Sequence, residues 1–143
     1  MRDARSPLPG DYEDVGPSPR VLGTGSYGIT KLMRHKGTSE LYAVKLIARG
    51  EHITDHVRRE IVNHRHLCHP FVVQFKEAFV TSTHLGVAME FVSGGELFNY
   101  VRQHRSFNEA QARYFFQHLV SGVEYLHAMR VVHRDLKLEN LLV

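Results

Sequence analysis

His133-Arg134-Asp135-Leu136-Lys137-Leu138-Glu139-Asn140 places an acid, a lysine and an amide at fixed spacing, on what reads as a short loop after a long helix. Asp135 can accept a proton from an incoming hydroxyl, which is worth roughly 10²–10⁴ in rate for a positioned base. Lys137 can neutralise charge developing on a transferred group. Asn140, five residues beyond the aspartate, can offer its amide oxygen to a magnesium ion. The competing reading is a capped helix end carrying incidental charges.

Outward from this loop the second half of the chain reads as helical. Asn108 with Gln111 three residues on has the form of a capping box and opens a long helix to about Ala128. Its apolar stripe is Ala112, Phe115, Phe116, Leu119, Val123 and Leu126. Glu96 to Val101 reads as a shorter helix, placed after the breaker Ser93-Gly94-Gly95. Val131-Val132 leads into the loop, and Leu141-Leu142-Val143 reads as the start of a strand.

The first half reads as strands with one helix. Val21-Leu22 enters a glycine cluster, Ile29 to Met33 alternates, and Leu41 to Ile47 returns after a turn at Arg34 to Ser39. A helix is expected from about Thr54 to His64, with Val57 and Ile61 one turn apart. Val72 to Phe75 and Leu85 to Phe91 follow as two further strands. Residues 1–20 hold four of the five prolines and few large apolar side chains, so they read as a flexible, Pro-rich tail. Ser6-Pro7 and Ser18-Pro19 offer phosphorylatable serines there, although two such dipeptides are expected by chance in that composition.

Composition narrows the class. Hydrophobic residues make up 43% and charged residues 23% of the 143, as in globular proteins rather than disordered ones. No apolar run approaches the ~20 residues of a membrane span, and no secretory signal is visible, so no membrane partner is expected. One cysteine, Cys68, excludes an internal disulfide and fits a reducing compartment. The net charge of +3 is spread along the chain, which does not argue for a nucleic-acid partner. The expectation is an intracellular protein, cytoplasmic or nuclear.

Two more motifs bear on chemistry. Gly23-Thr24-Gly25-Ser26-Tyr27-Gly28 matches G-x-G-x-x-G, a spacing that also marks dinucleotide sites. A dinucleotide site would open into a helix and meet an acid ~20 residues later. Here the glycines lead into a strand, and the residue 20 after Gly25 is Lys45. That favours a glycine hairpin whose backbone N–H groups approach phosphate oxygens, over an ordinary hairpin turn. Lys45 lies within the apolar run Ala43-Val44-Lys45, where an ammonium needs a partner. Glu60, on the inward side of its helix, is the counter-charge; the bland alternative is a solvent-facing lysine opposite an unrelated glutamate.

Taken together, Gly23, Gly25, Gly28, Lys45, Glu60, His133-Arg134-Asp135 and Asn140 resemble the signature of the eukaryotic protein kinase family. Lys137 after the aspartate resembles serine/threonine rather than tyrosine kinases. Arg59 to Arg65, Phe75-Lys76-Glu77, Ser93 to Phe98 and His133 to Asn140 resemble the plant-type stress-activated kinases of the sucrose-non-fermenting and AMP-activated-related group. The resemblance covers about Val21 to Val143.

It implies an α+β, protein-kinase-like fold: a β-rich small lobe with one helix (21–89), a hinge (90–95) and the first helices of an incomplete large lobe (96–143). It implies ATP and Mg2+ as cofactors and a protein serine or threonine hydroxyl as acceptor. Leu22, Thr30 and Ala43 would roof the adenine, and Met89 would stand at the back of the pocket. Glu90 and Val92 would offer backbone groups to the base edge, and Glu96 would contact the ribose. The glycine loop and Lys45 would hold phosphates. Asp135 would be the base, with Lys137 and Asn140 beside it and Asn140 on the metal. Thr30 stands where family members usually carry a small apolar residue.

The family also uses an Asp-Phe-Gly segment, an activation loop and an Ala-Pro-Glu anchor after the catalytic loop, and only three residues follow Asn140 here. The expectation is therefore the N-terminal part of a serine/threonine kinase, with little or no transfer activity by itself and with an under-covered stripe from Phe115 to Leu126. The alternative is an inactive fragment acting only as a nucleotide-binding or interaction module. A small-molecule phosphotransferase on a related fold is disfavoured by the complete H-R-D-L-K-x-x-N string. His64, His66, Cys68 and His69 look like a metal cluster, but they crowd six residues without the paired spacing usual for zinc.

Overall fold

The structure, a computed structural model, describes residues 10–25, 28–50, 52–104 and 106–143. They divide into two compact units: residues up to His66 together with Gln74–Phe91, and Leu67–Val73 together with Val92–Val143.

The first unit is an antiparallel sheet with one helix. β1 (Tyr12–Asp14) and β2 (Arg20–Gly25) both pair with β3 (Gly28–His35). From there the order runs through β4 (Leu41–Ala48) and β6 (His84–Glu90) to β5 (Phe75–Val80). Because strand side chains alternate, the register sorts residues onto two faces. Thr30, Leu32, Ala43, Lys45, Ile47, Leu85, Val87 and Met89 share one. Helix α1 (Asp55–His64) covers part of it, burying Val57 with Ile47 and Leu85. Thr54 starts the helix by accepting the Val57 N–H.

The opposite face carries a second cluster of Tyr12, Tyr42, Val44, Phe79 and Ala88. Gly86 belongs to this face, where a Cβ would lie 2.3 Å from the Phe79 ring.

Here the expected tail needs correcting. Tyr12–Asp14 form a strand rather than a mobile lead-in, and Tyr12 is 6% exposed. Its ring stacks on Phe79 at 5.1 Å between centroids and meets Tyr42 edge-on, while its hydroxyl donates to the Glu77 carboxylate. One large aromatic with a polar partner anchors a segment whose average composition reads as irregular.

The second unit holds α2 (Leu97–His104) and α3 (Glu109–Ala128). The capping box expected at α3 is complete: Asn108 accepts the Gln111 N–H at 2.9 Å, and Gln111 Oε1 accepts the Asn108 N–H at 3.1 Å. The turn around Pro70 packs on α3, where a Cβ on Gly122 would approach the Phe71 carbonyl to 3.0 Å. Phe71 stacks on His118 at 4.0 Å, and His69 on Tyr125 at 4.8 Å. The apolar stripe of α3 is only partly covered, with Phe116 66% exposed.

Two expected strands are altered. Val72 is bridged to His69 in a turn, so the strand expected from Val72 begins only at Phe75. The apolar residues Leu141–Val143 form an isolated bridge to Glu96 instead of a full strand.

Candidate functional site

In the first unit, the residues expected to hold a nucleotide gather on the sheet face that carries α1. Thr30 lies directly across from Lys45, and Ala43 across from Met89. Gly23 pairs with Thr30, and Leu22 falls in the irregularity between Val21 and Gly23, half-buried. Thr24 pairs with Ile29 and Gly25 with Gly28, which closes the glycine hairpin from both sides. Ser26 and Tyr27 lie outside the described residues.

Gly28 is needed for a reason the motif does not state. A Cβ there would sit 2.1 Å from the Leu46 carbonyl oxygen, so the hairpin rests directly on β4. By contrast, among the described residues the nearest atom to a Cβ on Gly25 is the Gly28 carbonyl oxygen, at 3.9 Å.

Lys45 Nζ lies 3.3 Å from Glu60 Oε1, the pairing expected from sequence. The two side chains are 26% and 50% exposed, so the ammonium is less buried than its apolar strand suggests. Such a pair contributes at most about 1 kcal/mol to stability, and its use is to aim the ammonium. Beside it a recess of about 20 Å³ is lined by Lys45, Ile47, Val57, Glu60, Ile61, His64, Val87 and Met89, room for about one water. Met89 is thus part of the wall of this recess. The Glu90 N–H donates to the Gln74 carbonyl at 2.9 Å, and Glu90 Oε2 accepts the Gln74 N–H at 3.1 Å.

In the second unit, Asp135, Lys137 and Asn140 are brought together. Lys137 Nζ lies 2.9 Å from Asp135 Oδ2. Asn140 Nδ2 donates to the same oxygen at 2.9 Å and to the Asp135 backbone carbonyl at 2.7 Å. A 3₁₀ turn, Leu138–Asn140, makes this possible by folding the amide back over the loop. The Asp135 N–H donates to His133 Nδ1 at 3.2 Å, and Arg134 takes a positive φ of 67° between them. A non-glycine residue held there stores backbone strain, a feature concentrated at functional loops.

The lysine and then the amide hold the Asp135 carboxyl below the usual carboxylate range, and the aspartate in turn raises Lys137. Asp135 is thus an exposed, ionised acceptor at neutral pH.

Sequence reasoning missed how this loop is held. The Leu97 N–H donates to the Leu141 carbonyl at 2.7 Å and the Val143 N–H to the Gly95 carbonyl at 3.0 Å. A Cβ on Gly94 would fall 2.1 Å from the Val143 carbonyl oxygen. The Gly94-Gly95 pair was the available signal, since only glycine admits so close an approach. Within the same unit Glu96 accepts the Asn99 side-chain amide at 3.2 Å, and Val92 is half-buried.

The residues present fit a magnesium nucleotide in a limited sense. With Nδ2 committed to Asp135, Asn140 has Oδ1 left to face a cation. Among the described residues no three of His, Cys, Asp and Glu gather to hold a metal, so a cation here would draw its remaining ligands from phosphates and water. A shallow depression of about 550 Å³ lies along one face of α3, between Glu109, Ala110, Arg113, Tyr114 and Gln117. It is lined by a single helix and contains none of the expected site residues. No helix among the described residues is long and apolar enough to cross a membrane.

Comparison with known proteins adds a family. Residues 18–143 match the model of the protein kinase domain. The chain is 54% identical over 124 residues to the serine/threonine-protein kinase SRK2F of Arabidopsis thaliana, covering 87% of this chain and 35% of that relative. It is 57% identical over 122 residues to SRK2J of the same plant, covering 85% and 36%. With the serine/threonine-protein kinase SAPK5 of Oryza sativa subsp. japonica it is 55% identical over 132 residues, 92% and 35% of the two chains. The chain spans about a third of the length of these relatives.

Proposed function

The chain belongs to the protein kinase family, and from that premise we propose that it supplies the nucleotide-binding face and catalytic loop of a serine/threonine protein kinase. MgATP, when bound, supplies the γ-phosphoryl group for transfer to a protein serine or threonine. Asp135 orients the acceptor hydroxyl and takes its proton, while Lys137 offsets charge on the transferred group. Lys45, aimed by Glu60, and the hairpin Gly23–Gly28 hold phosphates. Thr30, Ala43, Leu22 and Met89 enclose the base. Backbone groups of Glu90 and Val92 serve its edge, although the Glu90 N–H is engaged with the Gln74 carbonyl. Glu96 takes the ribose, and Asn140 Oδ1 a magnesium.

The observation that carries this reading is the convergence of Lys137 and Asn140 on Asp135 Oδ2. An acid on which a lysine two residues away and an amide five residues away converge is the arrangement that phosphoryl transfer to a hydroxyl calls for. The test is a chimera of residues 1–143 with the remainder of the SRK2F kinase domain. It should phosphorylate serine or threonine peptides and lose at least about a hundredfold in rate on Asp135→Ala. A folded chimera that binds MgATP yet transfers nothing would sink the proposal.

A second reading applies to the 143-residue polypeptide taken alone. It contains no Asp-Phe-Gly, and Asp135 is its only aspartate after Asp55. With one amide oxygen for the metal, it acts as a nucleotide-binding or interaction module without turnover. Calorimetry with ATP, with and without magnesium, alongside a peptide-labelling assay, separates binding from transfer. We also place the protein inside the cell, cytoplasmic or nuclear, on the strength of its single cysteine, Cys68; imaging of a fluorescent fusion tests this.

A further inference from the structure

The edge strand beside β3 is interrupted by an excursion that the pairing does not need. Asp14 pairs with Met33, and Arg20 pairs with the very next residue of β3, Leu32. The residues between them, Val15-Gly16-Pro17-Ser18-Pro19, therefore leave the sheet and return to it with no gap in the register. Both ends are anchored. On one side Tyr12 is buried against Phe79 and Tyr42, and Lys31 Nζ lies 3.7 Å from Asp14 Oδ1. On the other side β2 begins at Arg20. Gly16 turns the chain with φ of 84°, and Gly16 to Arg20 are all exposed.

We infer that Ser18 is a modification site, the phosphoacceptor for a proline-directed protein kinase. Pro19 restricts Ser18 to extended backbone, the form in which a short segment lies along a cleft. Pro19 also has no N–H, so an enzyme whose apolar subsite would leave that donor unpaired selects proline over other residues. The excursion lets such an enzyme grip several residues without unpairing β1 or β2. In the reaction, Ser18 Oγ forms a bond to the γ-phosphorus of ATP held by the modifying kinase, and the bond to ADP breaks. The serine proton passes to that kinase's base. The exposed Arg20 guanidinium, two residues on, is a partner for the new phosphate.

The test treats the full 143-residue protein with MgATP and a purified proline-directed serine/threonine kinase, then maps phosphate by tandem mass spectrometry. Asp135→Ala is used as the background, so that no self-labelling contributes. Phosphate is expected on Ser18, retained in Ser6→Ala, lost in Ser18→Ala and at least about tenfold slower in Pro19→Ala. The labelled protein should keep its circular-dichroism spectrum, because the sheet pairing is untouched. Three results would overturn the proposal: no phosphate on Ser18 in folded protein, labelling only after unfolding in urea, or equal labelling of Pro19→Ala.

Discussion

Asn140 and Asp135 are joined twice, the amide nitrogen donating to the aspartate's backbone carbonyl at 2.7 Å and to its Oδ2 at 2.9 Å. Lys137 reaches the same Oδ2 at 2.9 Å. The acid is therefore held by its own loop, and its orientation does not wait for a ligand. That is preorganisation at the level of eight residues.

Removing the lysine should show in the acid's titration. Lys137 is the largest cause of the lowered Asp135 pKa, followed by Asn140. In Lys137→Met the Asp135 carboxyl should titrate at higher pH than in the parent, nearer an ordinary aspartate, as followed by carbon NMR of the side chain. The sign for stability follows. A lowered folded-state pKa contributes stability above the unfolded value and loses it as pH falls through the folded one. The loop should therefore loosen at a higher pH in the variant. An unchanged titration would show that the lysine does not set the charge state.

On the sheet face, Lys45→Met should weaken ATP binding about ten- to hundredfold, the range for losing a hydrogen bond to a charged group. Glu60→Gln should weaken it less and change stability by under about 1 kcal/mol, because the pair is half open to solvent. Isothermal calorimetry on both variants, with urea melts as controls, checks this. Equal affinity in Lys45→Met would remove the ammonium from the phosphate site.

The glycines of the hairpin should differ sharply from one another. Gly28→Ala forces a Cβ to 2.1 Å from the Leu46 carbonyl oxygen, and overpacking of this kind costs about 1–3 kcal/mol. Gly25→Ala meets, among the described residues, an atom no closer than 3.9 Å and should cost less than about 1 kcal/mol. Urea midpoints for the two variants should separate accordingly. Equal losses would mean that the hairpin does not rest on β4.

The features legible in the sequence were the short-range ones. The Asn108–Gln111 box and the acid–lysine–amide loop are each built from residues no more than five apart, so their spacing is their geometry. Lys45 and Glu60 were paired across 15 residues, but only because an ammonium in an apolar strand demands a carboxylate. Tyr12 was not legible. Its partners Glu77 and Phe79 lie more than sixty residues away, and nothing near it signals a strand. The same holds for Leu141–Val143, whose pairing with Gly95 and Leu97 depends on chain folding that local pattern does not encode.

Tyr12 gives the last prediction, an alkaline one. Burial, then the Glu77 carboxylate, pushes its phenol well above the usual tyrosine range, and burial raises Tyr42 as well. A raised folded-state pKa contributes stability that is whole below the unfolded value, about 10, and is lost as pH rises through the folded one. The first unit should therefore lose stability above about pH 10, as its unfolded phenols ionise and its folded ones resist. Tyr12→Phe removes one titrating group and should flatten that decline, while costing about 1 kcal/mol at neutral pH for the lost hydrogen bond. Tyr12→Ala removes the stack on Phe79 and should cost about 3–5 kcal/mol at neutral pH, a cost that shrinks as pH rises above about 10 because the parent then loses its own phenol's contribution. Circular-dichroism melts from pH 7 to 11 on the three proteins measure both effects. If Tyr12→Ala melts with the parent, β1 does not hold the sheet, and residues 10–14 are the loose lead-in that their composition suggests.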